Sequence, residues 1–295
     1  MYKIFNPFLH KRSDGSLPAT NTFIGDLENH FSNNHLSFHF GTDENGNVCD
    51  LAIRLFLTDG PVCDGLEDDL YNSVLNFYDR DKLIKHISVL EKYNLHLELL
   101  VINDGVNWRT EENNLFVVDF SISDDGEIME QHFVASQRDY QRFLVDVHGI
   151  HRTNKPLIYA TSEFEGFLSD VSTPSCTRDD ITLFPGDADL IEFDDENNVI
   201  GLYEFKKHTM SGYGNIEFQS FRKYYYKDQK KYESLVSLCR RFNLDCFYNI
   251  IYSTRTNELN KIKVETINSN FTLVKDDLFE FSSINELKEI LHNLR

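Results

Sequence analysis

The sequence lacks the marks of a disulfide-stabilised, membrane-embedded or nucleotide-binding protein. Its five cysteines are scattered, odd in number and form no Cys-x-x-Cys pair, which argues against a disulfide framework or a zinc site. No apolar run approaches a transmembrane span, and the start of the chain lacks the apolar core of a signal peptide. P-loop, Gly-x-Gly-x-x-Gly and Gly-x-Ser-x-Gly motifs do not occur. We therefore expect a cytoplasmic protein with reduced thiols and no membrane association.

Positive charge is also scarce, because the formal net charge is −19. Residues 1–150 hold 11 Lys and Arg against 25 Asp and Glu, so most of the acidity belongs to the first half. This balance argues against a protein that coats nucleic acid non-specifically, but it permits an enzyme with one local basic surface. At 295 residues and 41% hydrophobic content, the chain can form one large domain or two modest ones.

Hydrophobic periodicity predicts an α/β chain in two parts, with no evident internal repeat. The first part, residues 1–150, is predicted to be an acidic α/β accessory or partner-binding domain. The second part, residues 151–295, is predicted to follow the order α-β-β-β-α-β. Its expected elements are a helix at 161–172, strands at 181–184, 187–193 and 199–205, a helix at 216–243 and a strand at 245–254. A further strand at 261–267 and a helix at 284–294 complete the chain.

The most informative stretch covers residues 185–207, where two apolar runs flank the polar turn DDENN. Asp187 and Asp189 share one face of the first predicted strand, because residues at i and i+2 of a strand point the same way. Glu204 and Lys206 share one face of the second strand for the same reason. If the two strands pair through the turn, two or three carboxylates and one ammonium converge.

Such a cluster is suited to phosphodiester hydrolysis, which uses a metal to stabilise charge on the phosphate and to generate hydroxide near neutral pH. Magnesium prefers oxygen ligands from one or two carboxylates, and Asp189 and Glu204 would supply them. Lys206 would orient or help to deprotonate the water, or stabilise the developing charge. Phe205 is expected to point the other way, into a core.

The motif and the element order resemble the PD-(D/E)xK nuclease superfamily, whose members share a restriction-endonuclease-like α-β-β-β-α-β core with a mixed sheet. Its split motif is matched by PGDAD at 185–189 and EFK at 204–206. The resemblance covers about residues 155–255. It implies that Asp189 is a metal ligand ahead of Asp187, and that the chain is a Mg²⁺- or Mn²⁺-dependent deoxyribonuclease. It also suggests a prokaryotic or phage restriction or antiviral defence effector.

Four further residues are second-tier candidates. Glu165, or alternatively Glu163, could reach the metal from the helix at 161–172, but the two lie on opposite flanks of its apolar stripe. Some branches of the superfamily carry Gln-x-x-x-Tyr on the helix after the lysine. Here Gln229 and Tyr232 approximate that element, with a spacing one residue shorter.

A salt-bridge cluster without metal is the alternative interpretation of the motif. Acidic residues often cap turns, and Glu-x-Lys is frequent on exposed strands, so a pattern of this kind is common by chance. Glu204, however, lies in a strand that is apolar on both faces, where an unpaired charge is costly. A buried acid at this place needs either a partner or a metal.

The helix after the motif belongs to the only markedly basic region, since residues 204–241 hold nine Lys and Arg against four Asp and Glu. One interpretation is a patch that follows the phosphates of DNA; the other is a solvated helix face. The predicted nucleic-acid-binding residues are Lys207, Arg222, Lys223, Lys227 and Lys230.

The predicted function is therefore metal-dependent hydrolysis of DNA. The acidic first half could bind a helicase, an ATPase or another defence-system protein, and homo-oligomerisation is left open. One alternative is a catalytically silent nuclease-fold protein that binds nucleic acid or docks a helicase or ATPase partner. The other is a structural adaptor whose acidic half is the docking surface.

Overall fold

The computed structural model describes residues 2–4, 23–24, 27, 34–63, 65–103, 113–123, 125–150, 152–153, 182–183, 186–208 and 215–294. Contacts between residues divide the chain into two compact units, centred on Phe38–Asp187 and Ala188–Arg295. The predicted boundary at residue 150 lies earlier in the chain, and most residues between the two positions lie outside the described part. Among the described residues, no helix is both long and apolar enough to cross a membrane.

The first unit is α/β with mixed strand pairing. Its strands pair in the order β2-β3-β4-β5-β6, and β1 also pairs with β3. The pair β3–β4 is parallel, and the other pairs are antiparallel. The elements are β1 (Tyr2–Ile4), β2 (His35–Thr42), β3 (Val48–Thr58), α1 (Glu67–Phe77), α2 (Arg80–Lys92), β4 (His96–Asn103), β5 (Asn114–Ile122), β6 (Ile128–Ser136) and α3 (Gln137–Asp146).

The second unit is also α/β with mixed strand pairing. Its strands pair in the order β9-β10-β11-β12-β13, of which only β10–β11 is a parallel pair. A short 3₁₀ helix, Ile216–Phe218, precedes the long helix α4. The elements are β9 (Gly186–Phe193), β10 (Val199–His208), α4 (Phe221–Arg241), β11 (Cys246–Ser253), β12 (Lys261–Asn268), β13 (Leu273–Glu280) and α5 (Ile284–His292).

The α/β class and the mixed strand pairing are as predicted. The order of β9, β10, α4 and β11 along the chain is also as predicted. The strand expected at 181–184 differs from the prediction. It is the two-residue strand β8 (Thr182–Leu183), which pairs with β7 (Arg152–Thr153) rather than with β9. The helix expected at 161–172 lies outside the described residues.

The two faces of β10 pack against different elements. Tyr203 and Phe205 are buried in one core with Leu287 and Leu291 of α5. The prediction that Phe205 enters a core is therefore confirmed. Because side chains alternate along a strand, Glu204 lies on the opposite face, where its contacts come from α4.

Both units repeat one topology, although the sequence shows no evident repeat. In each unit a β-hairpin leads through helix to a parallel strand, then to two antiparallel strands and a closing helix. The hairpin turns also match. Asp43 Oδ1 accepts from the Asn47 backbone N–H at 2.8 Å, and Asp194 Oδ1 accepts from the Asn198 backbone N–H at 2.8 Å.

The helices that enter the parallel strands end in the same way. Asn94 after α2 and Asn243 after α4 have φ values of 55° and 58°, in the left-handed region that asparagine tolerates. The next residues, Leu95 and Leu244, each donate their backbone N–H to a carbonyl five residues back, at 3.0 and 2.8 Å. The shared cap sets where β4 and β11 begin.

Candidate active site

The β9–β10 hairpin brings the two main predicted acids together. Leu190 pairs with Tyr203 across the hairpin, so the adjoining residues Asp189 and Glu204 are neighbours on the other face. Both are buried, with exposures of 7% and 0%. The Asp189 carboxylate Oδ2 also accepts from the Phe205 backbone N–H at 2.6 Å. This hydrogen bond fixes the Asp189 side chain against β10.

Two ammonium groups contact the buried Glu204 carboxylate. Lys206 Nζ lies 2.9 Å from Glu204 Oε1, and Lys231 Nζ lies 2.8 Å from the same oxygen. Lys231 Nζ is also 3.9 Å from Asp189 Oδ1. The four side chains therefore form one cluster of two carboxylates and two ammonium groups, in which Lys231 bridges the acids.

The second oxygen of Glu204 has a different environment. Glu204 Oε2 is buried and has no hydrogen-bond partner among the described residues. Buried polar atoms are normally satisfied, and an exception points to a bound water, an ion or a functional role. An oxygen of this kind, beside the Asp189 carboxylate, is a position where a hard cation or its water could bind.

A buried chain of polar contacts continues from the cluster. Lys206 Nζ lies 5.5 Å from the centre of the Tyr232 ring, a cation–π distance. The Tyr232 hydroxyl donates to Asn249 Oδ1 at 3.3 Å, and Asn249 Nδ2 donates to Glu265 Oε2 at 2.9 Å. Glu265 Oε2 accepts in turn from the Phe221 backbone N–H at 2.7 Å. Because Phe221 is the first residue of α4, this carboxylate satisfies a helix-start N–H and complements the helix dipole.

Three further residues were predicted to contact the metal, and only one of them, Asp187, lies in the described part of the chain. Asp187 lies two residues before Asp189 in β9, on the same face, with a half-buried side chain. Glu163 and Glu165 fall outside the described residues. The structure therefore brings together Asp189, Glu204 and Lys206.

Of the Gln229–Tyr232 element, only the tyrosine reaches the site. Gln229 is exposed, and its Nε2 donates to Glu233 at 2.7 Å. Sequence reasoning placed Lys231 in the basic region but not at the acids. The sequence does indicate that Lys231 faces the protein interior. It precedes the buried Leu235 and Leu238 by four and seven residues, which places all three on the same face of α4.

The predicted DNA-binding residues lie along β10 and α4. Arg222 and Lys223 are exposed in the first turn of α4. Lys207 is half-buried and follows Lys206 in β10, so it belongs to the opposite face. Lys227 and Lys230 lie further along α4.

The repeated topology allows the two hairpins to be compared position by position. Phe40 and Ile191 each lie three residues before the aspartate that opens the turn. Phe40 pairs with Ala52 in the first unit, and Ile191 pairs with Leu202 in the second. Counting outward from these two pairs gives the matching positions in the rest of each hairpin.

The first unit has no carboxylate at the matching positions. The residues that correspond to Asp189, Glu204 and Lys206 are Phe38, Arg54 and Phe56. Arg54 is buried, and its Nη1 donates to the Tyr78 hydroxyl at 2.7 Å. A buried guanidinium thus replaces a buried carboxylate, so the acidic cluster belongs to the second unit.

The first unit has a different buried polar cluster, which the sequence did not reveal. The Tyr140 hydroxyl donates to Glu98 Oε2 at 2.6 Å. His148 Nδ1 lies 2.8 Å from Asp50 Oδ1, and its Nε2 lies 3.9 Å from Glu98 Oε1. Burial, together with the charges of Asp119 and Asp50, raises the pKa of Glu98 to about 8, against the hydrogen bond from Tyr140. At neutral pH the folded protein therefore favours the protonated carboxyl.

Comparisons with protein-family models, with curated proteins and with solved structures find no match to this chain. Within the described part of the chain, no group of three or more His, Cys, Asp and Glu side chains is arranged to hold a metal ion. A metal at Asp189 and Glu204 would therefore have two carboxylate ligands from the described residues. That number suits Mg²⁺, which usually keeps several waters.

Proposed function

We propose that this chain is a Mg²⁺- or Mn²⁺-dependent deoxyribonuclease, with a restriction-endonuclease-like core in its second unit. The main support for this proposal is that two buried acids, Asp189 and Glu204, lie next to each other beside Lys206. In addition, Glu204 Oε2 has no hydrogen-bond partner among the described residues. Buried carboxylates with a specific cationic partner are costly to the fold and are candidates for functional sites. By analogy of fold and motif, the proposed biological role is restriction or antiviral defence.

Asp189 and Glu204 would hold the cation, because both present carboxylate oxygens on one face of the β9–β10 hairpin. When bound, the cation supplies charge stabilisation at the phosphate and activation of water. Asp189 is held in place by the Phe205 N–H, and Glu204 is held between two lysines. The carboxylates are thus positioned before any ligand arrives, which is what an electrostatic site requires.

Lys206 would act on the substrate side of the site. Its ammonium is 2.9 Å from Glu204, and the side chain is 13% exposed, so Lys206 contacts this acid and is partly open to solvent. From this position it can donate to a water or to a phosphate oxygen and stabilise negative charge there. The Tyr232 ring limits the directions in which the ammonium can move.

The basic residues of β10 and α4 would hold the DNA backbone. Exposed Arg222 and Lys223 are available to phosphates, and Lys207, Lys227 and Lys230 extend the same region of sequence. Phosphate contacts of this type position the nucleic acid without reading its sequence. The acidic first unit would then be free to bind a helicase, an ATPase or another defence-system protein.

One observation favours a second candidate, a catalytically silent nuclease-fold protein that binds nucleic acid or a partner. Lys206 and Lys231 carry two positive charges against the two carboxylates of Asp189 and Glu204. The charges of these four side chains therefore balance without a metal. A stable charge-balanced cluster of this kind can serve the fold alone.

The experiment that separates the two candidates is a cleavage assay with the full chain. Plasmid, linear duplex and single-stranded DNA, and RNA, are incubated with and without Mg²⁺ or Mn²⁺. We expect DNA cleavage only with metal, and a loss of at least about 100-fold in Asp189→Asn and Glu204→Gln. Glu196→Gln, which removes an exposed acid of the adjoining turn, is the matched control and should cleave normally. Absence of metal-dependent cleavage with every substrate contradicts the proposal.

A further inference from the structure

We propose that Lys231 is a displaceable internal cation of the candidate metal site. Its ammonium bridges Asp189 and Glu204, and on this proposal it leaves that position when a divalent cation binds. The inference rests on the proposed function, and it adds a residue and a binding property that the nuclease motif does not contain.

The distances place the Lys231 ammonium against the two carboxylates that a metal would use. Its Nζ lies 2.8 Å from Glu204 Oε1 and 3.9 Å from Asp189 Oδ1. These are the same two carboxylates that would supply the metal ligands. A divalent cation held by these two carboxylates would lie near the Lys231 ammonium and would repel it strongly in a buried site. Binding of the cation would therefore drive the ammonium away from the acids.

The two lysines at the site are not equivalent. Lys206 contacts Glu204 and stands over the Tyr232 ring at 5.5 Å, so it keeps a favourable partner if the carboxylate turns to a metal. Lys231 contacts both acids, and it would lose both contacts. Its flexible four-carbon stem and 17% exposure allow its ammonium to move toward solvent while α4 stays in place.

This arrangement keeps the acids balanced when no metal is bound, and it weakens metal binding by competition. Removing the ammonium should therefore tighten the binding of the metal, which is the opposite of the effect expected if Lys231 simply supported the site. A purely structural lysine would lower the affinity or leave it unchanged when removed. The sign of the change is the diagnostic quantity.

The test measures Mn²⁺ affinity of the full chain by isothermal titration calorimetry, with the electron paramagnetic resonance signal of free Mn²⁺ as a second readout. Lys231→Met is expected to bind Mn²⁺ at least about tenfold more tightly than the wild type, or about 1.4 kcal/mol. Lys275→Met removes an exposed charge from β13 of the same unit and should bind within about twofold of the wild type. Lys231→Gln serves as the second variant if Lys231→Met does not fold.

A measurement on the unaltered protein provides an independent check. Lysines are labelled with acetic anhydride with and without Mn²⁺, and the α4 peptide is analysed by mass spectrometry. We expect Mn²⁺ to raise the labelling of Lys231 several-fold and to leave that of Lys223 unchanged. Unchanged or reduced labelling of Lys231 overturns the inference.

The outcomes also separate this inference from the proposed function. If the wild type binds Mn²⁺ and cleaves DNA, but Lys231→Met binds Mn²⁺ equally or more weakly, the displacement idea is wrong and the nuclease proposal stands. If neither protein binds Mn²⁺ and the wild type cleaves no substrate, both proposals fail. Tighter binding in Lys231→Met, with Lys275→Met unchanged, supports the displacement.

Discussion

Replacing Glu98 with glutamine should remove one source of the pH dependence of the first unit's stability. Glu98 is 2% exposed, and burial raises its pKa from 4.5 to about 8. A folded carboxyl with a raised pKa keeps its proton where the unfolded chain has lost it. The folded state therefore binds more protons between pH 4.5 and pH 8, and its stability falls as the pH rises through this window.

The size of the effect follows from the shift. A rise in the pKa of Glu98 from 4.5 to about 8 corresponds to several kcal/mol of stability in full, and most of this develops between pH 5 and pH 8. Glutamine keeps an oxygen that can accept from the Tyr140 hydroxyl but cannot ionise. The variant should thus be close to the wild type at pH 5 and more stable by roughly 3–4 kcal/mol at pH 8.

The assay is urea unfolding of the full chain at pH 5 and pH 8, followed by far-ultraviolet circular dichroism. Titrating groups away from this cluster affect the wild type and the variant alike, so the difference between them reports Glu98 and the groups coupled to it. Glu44→Gln, at an exposed position of the β2–β3 turn, is the control and should show no pH-dependent difference. Parallel stability profiles for Glu98→Gln and the wild type would refute the reasoning.

Two further predictions concern close contacts and DNA. A Cβ on Gly201 would lie 2.7 Å from the Tyr203 hydroxyl and 2.8 Å from its ring, so Gly201→Ala should cost about 1–3 kcal/mol in urea unfolding. Gly60→Ala meets only an ordinary 3.5 Å contact and should change stability by less than about 1 kcal/mol. Equal losses of stability in the two variants would contradict this reasoning. Changing Arg222 and Lys223 together to glutamine should weaken DNA binding and lower the slope of log affinity against log salt by roughly 2. An unchanged slope in filter binding would remove these residues from the interface.

The β9–β10 hairpin could be predicted because its local signals agree. Two apolar runs flank a turn in which Asp194 accepts backbone hydrogen bonds, and aspartate is favoured at such places for that reason. The period of the strands then fixes which side chains share a face. The neighbouring positions of Asp189 and Glu204 followed from these local rules alone.

Lys231 was harder to assign because its partner lies on another element. Helical periodicity places it on the apolar stripe of α4, but the identity of the facing strand is a property of tertiary structure. The same applies to Glu98 and Tyr140, which are 42 residues apart. A buried charge is visible in sequence only when its environment is local, as it is for Glu204 in an apolar strand.

Edge strands were missed for a different reason. Strand β13 (Leu273–Glu280) consists of exposed and half-buried residues, and it includes the charged residues Lys275, Asp276 and Asp277. Charged residues are typical of strands that end a sheet, because they discourage pairing with another chain. The same residues conceal the strand from a search for apolar runs.

The repeated topology was concealed because the two units share patterns rather than residues. Their common features are the aspartate turns and the asparagine helix caps, at Asp43 and Asp194 and at Asn94 and Asn243. Core positions need only be apolar and of suitable size, so their identities can diverge while the topology persists.

The most direct test of the central claim is the rate of plasmid cleavage by the wild type and by Glu204→Gln across a titration of Mg²⁺ and Mn²⁺. The account predicts cleavage that rises with metal in the wild type and is abolished by a chelator. It also predicts a rate at least about 100-fold lower in Glu204→Gln at every metal concentration, with DNA binding retained. Cleavage at the wild-type rate by Glu204→Gln, or cleavage that a chelator does not affect, would contradict the claim.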